Sequence, residues 1–292
     1  MKYILIILLM PLLFNCKNDS DKKDQLPIYN NEIRDSIATN TVKPDSMQIE
    51  TVNKSIALEL KQEQLIKKKD ERIELQKLVI DKRDAIEKDD YTINFHYPLL
   101  NESFKPTHTN FNNFMNQYYA NISKAESEIL QNKLLCDSIE AQKFREERFI
   151  DYKIYNVNDQ LISLLFYKEN YYSGSMHPSF TFDCFNFNLV EGVFMNYEDF
   201  FTQGSEEELL TILNEKISNS IKLGNLYYDC WEIEIEDFFR AKNNFVLNDN
   251  YVEFYFDDCV MCPSYTGTYS IELPLVELLS VLKKFDSNPL VF

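Results

Sequence analysis

Apolar positions along the C-terminal two-thirds of the chain follow two different periods. Tyr91, Ile93, Phe95 and Tyr97 alternate with polar neighbours, the spacing of a half-buried strand, and Pro98 predicts its end. Phe111, Phe114, Met115, Tyr118, Ile122, Ala125 and Ile129 then fall at helical spacing, with Thr109 or Asn110 as the N-cap and helical character running on toward Phe144. Ile150, Tyr152 and Ile154 alternate again, residues 156–159 make a turn, and residues 161–167 are apolar on both faces. This predicts a hairpin with a buried second strand. Phe180 and Phe182 mark one face, while Phe185, Phe187 and Leu189 mark the other. The phase slips by one residue near Asp183 and Cys184, as a β-bulge would allow.

Ser205-Glu206-Glu207-Glu208 reads as a capping box that opens a helix whose apolar face is Leu209, Leu213, Ile217 and Ile221, and Gly224 fits its stop. Residues 245–247 and 251–256 flank Asn248-Asp249-Asn250 as a hairpin, residues 268–273 form a last strand, and Pro274 opens a final apolar helix to about Phe285. Because strands come in hairpins rather than alternating with helices, the fold class is α+β, an antiparallel β-sheet with helices packed on one face.

Residues 51–90 contain no Gly or Pro and are dense in helix formers, which predicts a helix. Ile66, Ile73 and Ile80 repeat every seven residues, but the places three and four residues after the first two hold Lys69, Asp70, Gln76 and Lys77. A charged stalk fits better than a coiled coil. Residues 17–50 are polar, with Pro27 and Pro44, and read as a solvated tether. At the N-terminus one cation, Lys2, precedes an apolar stretch over residues 3–14 that is too short to span a bilayer and ends at Asn15 and Cys16, the layout of a signal peptide.

Leu13-Phe14-Asn15-Cys16 resembles the lipobox of bacterial lipoproteins, with Asn15 where a small residue is usual. The resemblance implies that Cys16 is lipidated and that the chain is held at a membrane, since each buried CH2 of an acyl chain contributes about 0.8 kcal/mol. The acidic run Lys17-Asn18-Asp19-Ser20-Asp21 resembles surface-export signals of Gram-negative lipoproteins; a plain hydrophilic linker has the same composition. The chain thus divides into a signal peptide over 1–15, a tether over 16–50, a stalk over 51–90 and a folded domain over 91–292. The expected location is the bacterial envelope, lipid-anchored, at the outer membrane and facing the periplasm or the surface.

Charge sharpens this picture. The net charge is −17, and residues 91–292 hold 14 cations against 30 anions, so nearly the whole field belongs to the folded domain. A nucleic-acid partner is excluded, because phosphate backbones favour basic proteins, whereas a cationic partner would be steered inward. The densest acidic stretch is residues 206–237.

Candidate chemistry is sparse. Of three histidines, His96 falls on the polar face of its strand and His108 in a turn, so both read as solvated; His177 lies in a loop with Tyr171, Tyr172, Gly174 and Pro178. A general base there would need a nucleophile and an orienting carboxylate, and no nucleophile motif accompanies it. Besides Cys16 there are Cys136, Cys184, Cys230, Cys259 and Cys262, an odd number that leaves pairing open. Cys259-Val260-Met261-Cys262 lies between two strands, unlike a redox-active motif at a strand-to-helix crossover, and zinc would need two further ligands. Neither a metal nor a cofactor is expected.

The order of pieces from Tyr91 resembles the extracellular domain of RsiV-type anti-sigma factors, also found beside some peptidoglycan deacetylases. The first half, residues 91–180, carries Tyr97-Pro98 and Tyr172-Ser173-Gly174-Ser175-Met176-His177-Pro178. The second, residues 181–292, carries Asp199-Phe200-Phe201, Tyr265-Thr266-Gly267 and Ile271-Glu272-Leu273-Pro274. The family's Gly-Gly-Ala-His stands here as Gly174-Ser175-Met176-His177, and there is no cytoplasmic anti-sigma segment or spanning helix. The resemblance implies a non-catalytic binding domain, with a basic protein such as lysozyme or a cell-wall component such as peptidoglycan as partner, and Tyr171, Tyr172, Gly174, His177, Pro178, Tyr265 and Gly267 as ligand-binding candidates. A wall-active enzyme or its accessory domain, and a structural lipoprotein, are the alternatives.

Overall fold

The computed structural model describes residues 77–138 and 144–283. The signal peptide, Cys16, the tether and the stalk to residue 76 lie outside the described residues. A six-stranded sheet has the order β1 (Val79–Glu87), β2 (Tyr91–Leu100), β3 (Glu146–Val157), β4 (Leu161–Tyr171), β5 (Ser179–Asn188) and β6 (Val193–Met195). A second sheet joins β7 (Phe245–Leu247), β8 (Tyr251–Tyr255) and β9 (Ser270–Pro274). Helices α1 (His108–Phe114), α2 (Ile122–Ser138), α3 (Tyr197–Phe200), α4 (Glu206–Lys222) and α5 (Ile235–Ala241) complete an α+β fold. Among the described residues no helix is long and apolar enough to cross a membrane.

Two expectations about the sheet are corrected. Residues 79–87 are not the end of a stalk helix but an edge strand antiparallel to β2, running from Val79 opposite Leu100 to Glu87 opposite Thr92. Without it, β2 would expose a row of unpaired backbone groups, and that tertiary demand outweighs the local helix preference. The charged run Asp81, Lys82, Arg83 and Asp84 suits a solvent-facing edge. The folded domain therefore begins by Val79 rather than at residue 91. The sheet is also mixed: β2 pairs with β3 in parallel, because the α1–α2 crossover returns the chain in the same direction.

Helices α1 and α2 cover one face of the large sheet, and the small sheet lies against β3, β4 and β5 on the other. Ile162, Leu164, Phe166 and Phe187 pack with Phe111, Met115 and Ile129 of the helical layer. Leu165, Tyr167, Phe180, Phe182 and Cys184 pack with Val246, Tyr255 and Tyr269. This explains the apparent phase slip in β5. Pairing with β4 is continuous past Asp183 and Cys184, and the register shift sits instead in β3, between Ile154 and Asn156. Phe182 and Phe185 are out of phase because they belong to two cores, not because the strand bulges.

The outer face of the small sheet carries Phe245, Leu247, Val252, Phe254, Ile271 and Leu273, and α4 covers it with Leu209, Leu213 and Ile217. Each such buried side chain contributes about 1.5–3 kcal/mol relative to exposure. Side-chain hydrogen bonds lace the sheets together. The Leu247 amide donates to Ser163 Oγ at 2.9 Å, and Asn186 Nδ2 donates to the Phe245 carbonyl at 3.0 Å. Asn244 takes the Cys184 amide at 2.7 Å and donates to the Phe182 carbonyl at 2.8 Å.

Three helix expectations also change. The run from Phe111 toward Phe144 is interrupted by a π turn at Met115–Tyr119 and by Ala120, and Phe144 lies in a buried non-helical stretch. Ser205 stands at the N-cap of α4, but its side chain makes no capping bond. Its hydroxyl donates to the Thr202 carbonyl at 2.6 Å and meets Tyr197 Oη at 2.8 Å, while the reciprocal capping box forms at Asn196 and Asp199 on α3. After Pro274 there is one 3-10 turn, Leu275–Leu278, because Leu282 must reach back to bridge Phe201 and bury itself with Val281. Gly224 follows α4 with φ +74°, the left-handed stop expected of it.

Candidate functional site

The candidate residues fall on two loops. Tyr171 ends β4 opposite Glu147, and the Tyr172 ring lies under the Arg148 guanidinium, 4.1 Å from carbon to ring centre. Arg148 is itself buried: it donates to the Glu147 and Tyr171 carbonyls at 3.0 and 3.1 Å and pairs with Glu146 at 2.5 Å, and Glu146 accepts from Asn132 of α2. Beyond it the chain turns at Gly174, whose φ of +87° favours glycine. His177 is exposed, with Nδ1 3.0 Å from the Pro178 carbonyl, and among the described residues no carboxylate pairs with its ring.

Tyr265 and Gly267 occupy the other loop, between β8 and β9. A 3-10 turn at Ser264–Thr266 closes on Gly267, with φ +59° and its amide donating to the Ser264 carbonyl at 3.0 Å. The Tyr265 hydroxyl donates to Asp229, and that bond, with smaller contributions from burial and from the neighbouring Asp229 charge, pushes the phenol up to about 12. Asp229 belongs to the irregular segment between α4 and α5, which is tied down at several points. Cys230 is disulfide-bonded to Cys262, with their Cα atoms 4.1 Å apart. Trp231 donates its amide to the Met261 carbonyl and its indole N–H to the Val260 carbonyl, both at 2.9 Å. Asn214 of α4 grips the Ile233 backbone in both directions, at 2.8 and 3.0 Å.

These ties hold large rings at the surface. Tyr227, Tyr228, Trp231 and Tyr265 are 54%, 83%, 40% and 42% exposed around the buried disulfide. Periodicity could not find them, because the segment has no regular period. The available signal was local: the chain's one tryptophan stands beside a cysteine in Tyr227-Tyr228-Asp229-Cys230-Trp231, within the densest acidic stretch. The two candidate groups are fastened to different partners, Tyr172 to Arg148 of β3 and Tyr265 to Asp229 of the α4–α5 segment. The Cys259/Cys262 pair is not an internal bridge, since Cys262 reaches back 32 residues; Cys136 and Cys184 are free. Among the described residues no cluster of metal-ligating side chains exists.

Residues 198–275 match the family model described as protein of unknown function, DUF3298. The DUF3298 match spans the disulfide and all four exposed rings, and it leaves out the Tyr172 loop. Among solved structures, a DUF3298 protein from Bacteroides fragilis is similar at 14% identity and a TM-score of 0.50, over 70% of this chain and 92% of that one. A DUF3298 protein from Pseudomonas aeruginosa is similar at 13% identity and a TM-score of 0.49, over 70% and 93%. No curated protein matches.

The other two histidines are not solvated. His96 stands where β2 and β3 part, its Nδ1 2.7 Å from Asp151 and its Nε2 3.4 Å from Asp81, with the Tyr152 ring beside it. His108 is buried and donates from Nδ1 to the Asn101 carbonyl at 2.8 Å. Both fasten strands and loops, which neighbouring sequence cannot reveal because their partners come from other elements.

Proposed function

We propose that the chain is a bacterial envelope lipoprotein, anchored through Cys16, whose folded domain binds a basic partner without catalysing a reaction on it. A lysozyme-like protein is the named partner, with a cell-wall component such as peptidoglycan as the second candidate. One observation carries the reading: exposed aromatic rings are fixed beside carboxylates in a domain with 30 anions against 14 cations. Such a surface offers contact area at low entropic cost, and the field of the domain accelerates encounter with a cation. The resemblance to RsiV-type extracellular domains supports the same partner, and the tether supplies reach from the membrane. Release of a sigma factor is no part of the proposal.

Titration of the purified chain with a cationic lysozyme across a salt series tests the reading. Saturable binding that weakens as ionic strength rises supports it, and absence of binding at low salt overturns it. Anchoring is tested separately: Cys16→Ser should release the protein from the membrane fraction.

A further inference from the structure

The four exposed rings pose a question that net charge alone does not answer. Acidic residues keep a protein soluble without any partner, but solubility does not require tyrosine and tryptophan faces held at the surface by a disulfide and two main-chain hydrogen bonds. Tyr227, Tyr228, Trp231 and Tyr265 contribute flat apolar faces, and Asp229 stands among them, already fixed by the Tyr265 hydroxyl. Glu232 follows on the exposed side, oriented by Ser218 at 2.8 Å. Residues 206–237 hold nine carboxylates against two lysines, so the occupant must be cationic.

The two biological cations differ in what they need. An ammonium is a compact, strongly hydrated point charge, whereas a guanidinium is planar, weakly hydrated and able to stack on a ring while it donates sideways to a carboxylate. Rings interleaved with carboxylates supply both contacts at once. Building on the binding role argued above, we infer that the partner docks on the rim of Tyr227, Tyr228, Trp231 and Tyr265 through an arginine-bearing segment. A lysine-bearing segment of equal charge gains the long-range attraction but little of the stacking.

Trp231 is the only tryptophan in the chain, so its emission reports on this surface directly. The full chain is titrated with nona-arginine and with nona-lysine at matched ionic strength, and with a cationic lysozyme by calorimetry. The expected result is a saturable change in Trp231 emission with nona-arginine, binding about three- to tenfold tighter than nona-lysine, and a similar loss of nona-arginine affinity in Tyr228→Ala and Tyr227→Ala. Tyr118→Ala, which removes an exposed ring from the helical layer, should leave affinity unchanged, and thermal melts confirm that each variant is folded. Equal affinity for the two peptides, or wild-type affinity in both folded tyrosine variants, overturns the inference. If lysozyme still binds in that case, the binding reading stands and its surface lies elsewhere; if no cation binds even at low salt, both fall.

Discussion

The loop between β4 and β5 and the loop between β8 and β9 both set tyrosines at the surface, yet they are fastened by different chemistry. In the first, Tyr172 lies on a buried guanidinium that is itself committed to Glu146 and two carbonyls, so the ring closes over a structural ion pair, and the tip beyond it carries a fully exposed Met176 and an exposed His177. In the second, Tyr265 bonds to a neighbouring segment that a disulfide and Trp231 clamp from below. The contrast teaches that exposure alone does not mark a binding surface. A ring whose face is covered by its own arginine contributes that face to stability, whereas Tyr265 and Trp231, bonded through their polar edges, leave their faces partly open to solvent.

The largest effect should come from breaking the first loop's anchor. Arg148→Ala leaves Glu146 charged and buried, and should cost about 3–5 kcal/mol, read as a lower urea midpoint. Next, the double variant Cys230→Ser/Cys262→Ser removes a bridge spanning 32 residues and should cost about 2–4 kcal/mol in the same measurement, while also blunting any cation-induced change in Trp231 emission. Tyr265→Phe, which deletes one hydrogen bond to Asp229 at a half-open position, should cost only about 1 kcal/mol.

That last difference should depend on pH in a defined direction. The folded phenol titrates near 12 and an unfolded one near 10, so the tether holds in full below pH 10 and is lost as pH rises through 12. Melting temperatures of wild type and Tyr265→Phe should therefore converge over that window, and a gap that widens would contradict the assigned bond. The smallest effect belongs to His177→Ala, expected within about 0.5 kcal/mol of wild type because the ring is exposed and hydrogen-bonds to the adjacent Pro178 carbonyl. A large loss there would show that the His177 ring makes a stabilising contact beyond Pro178.

Much of the architecture was legible where one physical cause dominated. The α4 stripe of Leu209, Leu213 and Ile217 is buried as its period requires, and the turn of Asn248, Asp249 and Asn250 joins β7 to β8. The chain was illegible where a tertiary cause competed with a local one. The edge strand β1 looks helical by composition, and only β2's open backbone explains its conformation. Ser205 looks like a cap, but the buried Tyr197 hydroxyl and the Thr202 carbonyl claim it. At the candidate site, Tyr265 was visible as a motif, whereas Tyr227, Tyr228 and Trp231 became a group only when Cys230 found Cys262.

By itself the sequence determined the α+β class, the strand and helix stripes and the sign of the field, because apolar period and charge are summed locally along the chain. Only the tertiary structure decided that Phe182 and Phe185 of β5 serve two different cores, that His96 and His108 are fasteners, and that four rings share one surface. Those outcomes depend on pairings between residues far apart in the chain, and the cost of an unpaired backbone group or a buried charge is incurred only once the partners meet.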